Sequence, residues 1–356
     1  MAKGGREQSL RIGFFIGGNG QPVQQIPRCY AHGAMLVAFT PMSARNQSLS
    51  PINRASHLRT DAKALSDLWK KAMIVQIIDG RISATEDALV FCDAATVASQ
   101  LDSFDEGDRF FLGLGRDDNT PYFAWSTSWK NEPATKEEKY EGFATLRELG
   151  SSLDEIEISL AMHAVGLANW HATHPCCSRC GAATVSDLGG TVRVCVEDST
   201  QHHPRTDPAV IVLVKDSADR ILLGHQPVWP EKRFSTFAGF VEPGESFEEC
   251  VSREVFEEAG VYCNDINYLR SQAWPFPASI MIAFEAITDH PENARPDGEE
   301  ITEVRWLSRD EMKKAVADND ILLPPTISVA RKMITAWYVG KEGYVVDDLR
   351  GGESWR

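Results

Sequence analysis

The chain reads ESFEECVSREVFEEAG between residues 245 and 260, and three of its acids, Glu254, Glu257 and Glu258, fall at i, i+3 and i+4. On a helix that spacing gathers their carboxylates on one side. The helix itself is well signalled. Ser246 followed by Glu249 is a capping box that satisfies two orphan N–H groups. Gly260 suits the left-handed residue that ends a helix. Phe247, Val251 and Val255 recur every four residues and predict a stripe facing the core. Like charges this close repel, and a hard divalent cation with oxygen ligands is the natural compensation. Arg253 stands beside them and can orient one carboxylate through a bidentate pair. A merely solvated acidic face is the bland alternative. A second group is sulfur-rich: four of the eight cysteines lie between Cys176 and Cys195. Thiols clustered this way point to a metal and a reducing compartment rather than to a disulfide framework.

The wider pattern is Gly239, five residues, Glu245, seven residues, then Arg253, Glu254, Val255, Glu257, Glu258, Gly260 and Val261 in order. It resembles the Nudix box. Downstream, SQAWPFPAS at 271–279 resembles SQPWPFPxS, the signature of the NADH pyrophosphatase branch of Nudix hydrolases, with Ala273 where the signature has Pro. Physically, Trp274 and Phe276, stiffened by Pro275 and Pro277, suit an aromatic wall for a flat ring. Ser271, Gln272 and Ser279 can supply hydrogen bonds to a carboxamide, ribose or phosphate. Proline at 273 would restrict that segment further, so alanine implies weaker substrate binding or dimerisation.

The resemblance implies more. Glu254, Glu257 and Glu258 would hold two or three Mg2+ or Mn2+ ions together with Glu300 of EEITEVRW (299–306), with Glu299 and Glu303 as alternatives. A backbone carbonyl near Ala330, in LLPPTISVARKMI (322–334), would meet metal or phosphate. Phe240 would stack on the bound base, and His203 would cover its other face in a homodimer. Glu257 or Glu258 would act as base on a metal-activated water, with Arg253 positioning the cluster. The cysteines resemble a structural zinc ribbon on Cys177, Cys180 and Cys195. Its expected fourth Cys is replaced by the segment VEDSTQHH, leaving Asp198, His202 or Cys176 as substitutes. The implied activity is hydrolysis of NADH to reduced nicotinamide mononucleotide and AMP, with removal of NAD caps from RNA 5′ ends as the same bond in a larger substrate. The alternatives are cleavage of ADP-ribose or FAD, and a catalytically dead dinucleotide or RNA-end sensor. The intact box argues against the sensor; Ala273 speaks for it.

Stepping along the chain, short apolar runs (RIGFF, GAMLVAF, KAMIVQII, ALVF, RFFLGLG and PYFAW) predict a strand-rich N-terminal α/β domain over 1–150. KNEPATKEEKYEG (130–142) reads as a loop or solvated helix edge. Leu153, Ile156, Leu160, Ala164 and Leu167 predict a connecting helix within 151–174, whose histidines read as packing or capping groups. A ribbon-like module follows at 175–205. Over 206–340, strands at AVIVLV, ILLGH, SIMIAFEAI and EVRWL alternate with helices and predict an α/β/α sandwich with a mixed sheet, which is the Nudix fold. A tail occupies 341–356. The glycine clusters GGNG (17–20) and GLG (113–115) read as ordinary turns, since neither completes a dinucleotide-binding fingerprint.

Composition sets limits. A chain of 356 residues with 43% hydrophobic and 24% charged residues suits a two-domain globular protein. A formal net charge of -15 argues against non-specific gripping of a phosphate backbone. No apolar run reaches membrane-span length, so no membrane partner is expected. The opening MAKGGREQSLRIGFF lacks an apolar signal region, so a cytoplasmic location is expected.

Overall fold

The computed structural model describes residues 50–150 and 152–350. RIGFF, GAMLVAF, GGNG and the end of the C-terminal tail lie outside the described residues. The first domain comprises β1 (Ile52–Asn53), α1 (Ala62–Trp69), β2 (Met73–Ile78), β3 (Arg81–Ser83), β4 (Phe91–Cys92), α2 (Ala94–Gln100), β5 (Asp108–Gly115), β6 (Pro121–Thr127), α3 (Lys136–Lys139), β7 (Phe143–Ala144), α4 (Leu146–Leu149) and α5 (Glu155–Thr173). Its strands form a seven-stranded sheet in the order β1-β5-β6-β2-β3-β7, with β4 also on β2. Strand alternation explains its two cores. Ile74 and Ile78 of β2 pack with Trp69, Phe123 and Trp125 on one face. Val75 and Ile77 pack with Leu160, Ala164 and Leu167 of α5 on the other. The helix expected as a connector is therefore also a core element of the first domain. Each fully buried aliphatic side chain there contributes about 1.5–3 kcal/mol. His171 on α5 is buried, with Nε2 2.8 Å from the Gly190 carbonyl and Nδ1 2.7 Å from Arg193, the packing role expected for it.

GLG at 113–115 is not a turn. It ends strand β5, and Gly113 has a φ of 133° where a Cβ would stand 2.4 Å from the Asn53 carbonyl oxygen. Close approach of β1 requires the glycine.

A small three-stranded sheet, β10-β9-β8, links the domains, built from β8 (Thr184–Asp187), β9 (Val192–Cys195) and β10 (Gln201–His202). The second domain holds β11 (Asp207–Lys215), β12 (Ile221–His225), β13 (Phe237–Phe240), α6 (Phe247–Ala259), β14 (Asn264–Trp274), β15 (Ser279–Ile287), β16 (Glu303–Leu307), α7 (Arg309–Ala317) and α8 (Val329–Val339). Its sheet runs β14-β15-β11-β12-β16, with β13 also on β11 and with β11 and β15 parallel. Val210, Val212 and Val214 of β11 face α6, while Ile211 and Leu213 face α7 and α8. This is the expected α/β/α sandwich with a mixed sheet. Among the described residues, no helix is long and apolar enough to cross a membrane.

Candidate active site

The capping box at Ser246 and Glu249 starts α6 as expected, with Ser246 N–H donating to Glu249 at 2.7 Å, and Gly260 ends it at φ 70°. Val251 and Val255 are fully buried with Cys250 and Ala259, but Phe247, expected in the same stripe, is largely exposed. It sits in the first turn, where its ring still approaches that of the buried Phe284 at 6.5 Å. The same side of α6 also packs on β13, whose Phe237 joins Val251 and Val255 in the core. A Cβ on Gly239 would stand 1.8 Å from Cδ of Glu254, so the glycine leaves the space that this carboxylate occupies.

Arg253 ties the cluster together. Its Nε and Nη2 donate to the two oxygens of Glu245 at 2.6 and 2.9 Å. Nη1 donates to Glu254 at 2.7 Å and to Glu257 at 3.1 Å, and Nη2 also reaches the Phe240 carbonyl at 3.0 Å. The Arg253 pair, with help from the Glu242 backbone, pulls the Glu245 carboxyl down to about 2. Glu245 is the residue whose role the sequence reading missed: it anchors the arginine that spaces the acids.

Glu258 lies deeper, 3% exposed, and among the described residues it accepts the Ala238 N–H at 3.3 Å. Burial first, then the charges of Glu254, Glu300 and Asp297, push its pKa up to about 8. Glu254 is raised for the same reasons, burial first, with Glu257 and Glu300 adding repulsion against the pull of Arg253. Glu300 is thus near both acids. Of its alternatives, Glu303 is held by Arg305 at 2.6 Å. Asp297 was also missed. Its oxygens accept from the backbone N–H groups of Glu299, Glu300 and Ile301 at 3.2, 3.1 and 2.7 Å, which fixes the loop that brings Glu300 in. Several carboxylates around a single guanidinium leave an excess of negative charge, with Glu258 buried and Glu257 and Glu300 at the surface. Such an oxygen-rich donor set fits hard divalent cations.

Beside Glu258 opens a cavity of about 310 Å³ whose lining includes Trp274, Gln272, Ala330, Trp229 and Ile301. Arg147 of α4 lines it too, so the first domain contributes to this wall. SQAWPFPAS proves to be a hairpin, not a free loop: Ala273 pairs with Ile280 and Trp274 with Ser279. Gln272 is engaged at both ends, donating to the Ile327 carbonyl at 2.8 Å and accepting from Val329 N–H at 2.7 Å. It holds the start of α8, where Ala330 sits. Phe276 does not line the cavity. It meets Trp274 edge-on at 5.0 Å, lies under the Arg147 guanidinium at 4.8 Å, and packs against the first domain's core. It supports the wall from behind. Ser279 is buried at the start of β15, Ser271 is exposed on β14, and His203 is exposed before β11. Phe240 is 58% exposed at the end of β13.

In the ribbon, the sulfurs of Cys177, Cys180 and Cys195 and a carboxylate oxygen of Asp198 lie within 4.8 Å of one another. His202 Nε2 meets the Cys177 sulfur at 3.3 Å, and neither it nor Cys176 belongs to the group. Three thiols and a carboxylate fit the tetrahedral, closed pattern of structural zinc.

Residues 205–324 match the NUDIX domain family model, and residues 68–170 match the model described as an NADH pyrophosphatase-like rudimentary NUDIX domain. Among curated relatives, NAD-capped RNA hydrolase NudC of Mycobacterium tuberculosis is 36% identical over 293 residues, covering 80% of this chain and 92% of that protein. NAD-capped RNA hydrolase NudC of Pseudomonas syringae is 39% identical over 181 residues, covering 51% of this chain and 62% of that protein. Mouse mitochondrial NAD(P)H pyrophosphatase NUDT13 is 36% identical over 209 residues, covering 55% and 59%. With the box geometry, two matched domains and a relative aligned over nearly its whole length, the chain belongs to the Nudix hydrolase family, in its NADH pyrophosphatase-like branch.

Proposed function

We propose that this protein hydrolyses the pyrophosphate bond of NADH and NAD+, giving NMN(H) and AMP, and cleaves the same bond in NAD-capped RNA. The observation that carries the reading is the buried Glu258, crowded by Glu254 and Glu300 and opening onto a cavity walled by Trp274. At about 310 Å³ the cavity is at the low end of small-molecule sites, so it accepts one half of a dinucleotide and leaves the pyrophosphate at the acids. Glu254, Glu257, Glu258 and Glu300 would hold Mg2+ or Mn2+, which would supply charge neutralisation for the pyrophosphate and a lowered pKa for the attacking water. Arg253 spaces the acids, and Glu257 or Glu258 takes the proton. Trp274 offers its ring to the nucleotide half inside, while Gln272 fixes the Ala330 turn around it. Phe240 is an exposed ring for the outer base, faced by His203 of a second copy in a homodimer, with Ser271 and Ser279, toward the turn end of the hairpin, completing the site. Zinc on Cys177, Cys180, Cys195 and Asp198 is structural. Initial rates on NADH, NAD+ and ADP-ribose with Mg2+ or Mn2+ test the specificity: NADH and NAD+ are expected to lead, and a clear preference for ADP-ribose would replace the reading with another Nudix specificity.

A further inference from the structure

Two side chains that line the cavity beside Glu258 carry polar atoms left unmatched among the described residues. Nε and Nη2 of Arg233 and Oγ1 of Thr236 are shut off from solvent and have no hydrogen-bond partner among the described residues, and both side chains line this cavity. Leaving such groups unpaired costs free energy that folding ordinarily avoids. Other buried arginines here show the usual solution. Arg193 is spent on Thr184 and His171, and Arg309 on the carbonyls of Trp337 and Tyr338. The Arg233 backbone is firmly placed, its carbonyl accepting from His225 Nδ1 at 2.8 Å and its N–H donating to Pro230 at 3.1 Å. Burial also draws its guanidinium pKa below the ordinary value.

The unmatched edge has a definite chemical preference. Nε and Nη2 form the side of a guanidinium that meets two oxygens at once, and Arg253 uses that same pair of nitrogens on both oxygens of Glu245. An oxyanion with two free oxygens is the matching ligand. Since no hydrogen bond holds the Arg233 edge where it is, turning it toward the cavity breaks none.

We infer that Arg233, assisted by the Thr236 hydroxyl, is a substrate-binding residue that grips the phosphate of the nucleotide half seated in this cavity. The inference rests on the dinucleotide reading above for the substrate class. It gives the cavity a specificity element that recognises nucleotides over nucleosides, distinct from the acids that do the chemistry.

The test uses the full-length protein and the variants Arg233→Gln, Arg233→Lys and Thr236→Val. In Arg233→Gln, KM for NADH and the inhibition constant of NMN are expected to rise roughly ten- to hundredfold, the range for a lost charge-assisted hydrogen bond. Inhibition by nicotinamide riboside, which lacks the phosphate, and the melting temperature should hold. Lysine at 233 should recover part of the loss, and Thr236→Val should show a smaller loss of the same kind. An unchanged KM, or equal losses for NMN and the riboside, would overturn the inference while leaving the dinucleotide activity standing. If the wild type turns over no dinucleotide, that activity fails instead, and calorimetric binding of NMN and AMP decides the inference. A preference for nucleotide over nucleoside that Arg233→Gln abolishes supports it, and the absence of such a preference overturns it.

Discussion

Gly239 and Glu254 occupy one space: the glycine lies in β13 opposite Val210, and a side chain there would run into the Glu254 carboxylate 1.8 Å from where its Cβ would be. The first position of the box and its first helix acid are thus two halves of one packing decision. The strand gives up a side chain so that the helix can lay a carboxylate against it.

Gly239→Ala should therefore displace Glu254 while leaving the sheet intact. Turnover of NADH is expected to fall by roughly a hundredfold, the scale of a lost catalytic carboxylate. Steady-state kinetics beside a thermal melt check it. Activity within a few-fold of wild type would show that Glu254 tolerates displacement.

Glu258→Gln keeps the shape and removes the charge. It is expected to fold normally and to slow turnover by roughly a hundredfold or more. Full activity in a folded, metal-saturated variant would remove Glu258 from the machinery.

The same glutamate gives the metal-free protein a pH signature. Its pKa is pushed up to about 8 when folded, mainly by burial, against an ordinary carboxyl value when unfolded. The unfolded chain thus gives up this proton at lower pH than the folded one. Stability from this group is fully present below the ordinary carboxyl range and is lost as pH rises toward about 8. In chelator, the unfolding free energy of the wild type from urea titrations should fall across that window by on the order of a few kcal/mol relative to Glu258→Gln. Parallel curves for the two proteins would contradict the burial argument.

Much of this site was legible because its signals are local. Ser246, Glu249 and Gly260 are separated by short, fixed intervals along one helix, and the alternation in β11 places its valines without tertiary knowledge. The rest depends on chain segments far apart. Nothing near Arg147 shows that α4 lines the cavity, since its place follows from how Phe276 packs on the first domain. Gln272 looks like a free donor until Ile327 and Val329 arrive from 55 and 57 residues away. Gly113 looks like a turn residue because its requirement comes from Asn53 on another strand.

The ribbon should carry about one zinc per chain, as its three sulfurs and one carboxylate offer one tetrahedral set. Elemental analysis of untagged protein checks this, and removal should lower the melting temperature because such zinc supplies folding free energy. Asp198→Ala should weaken retention more than His202→Ala. Zinc-free native protein would leave the cluster without a metal role.

Ala273 lies in strand β14, paired with Ile280, so its backbone is already held. The gain from Ala273→Pro should thus sit at the low end of about 0.4–1 kcal/mol. KM for NADH is expected to fall by no more than about twofold on that scale. A gain in turnover of roughly a thousandfold would lie far outside it and would mark the natural chain as a binder rather than an enzyme.

The most direct measurement is product analysis after incubating the protein with NADH and Mg2+ or Mn2+, beside Glu258→Gln and a chelated control. Reduced nicotinamide mononucleotide and AMP should appear in equal amounts with the wild type and metal only. Intact NADH in the metal-loaded wild type, or products from cleavage at any bond other than the pyrophosphate, would contradict the assignment.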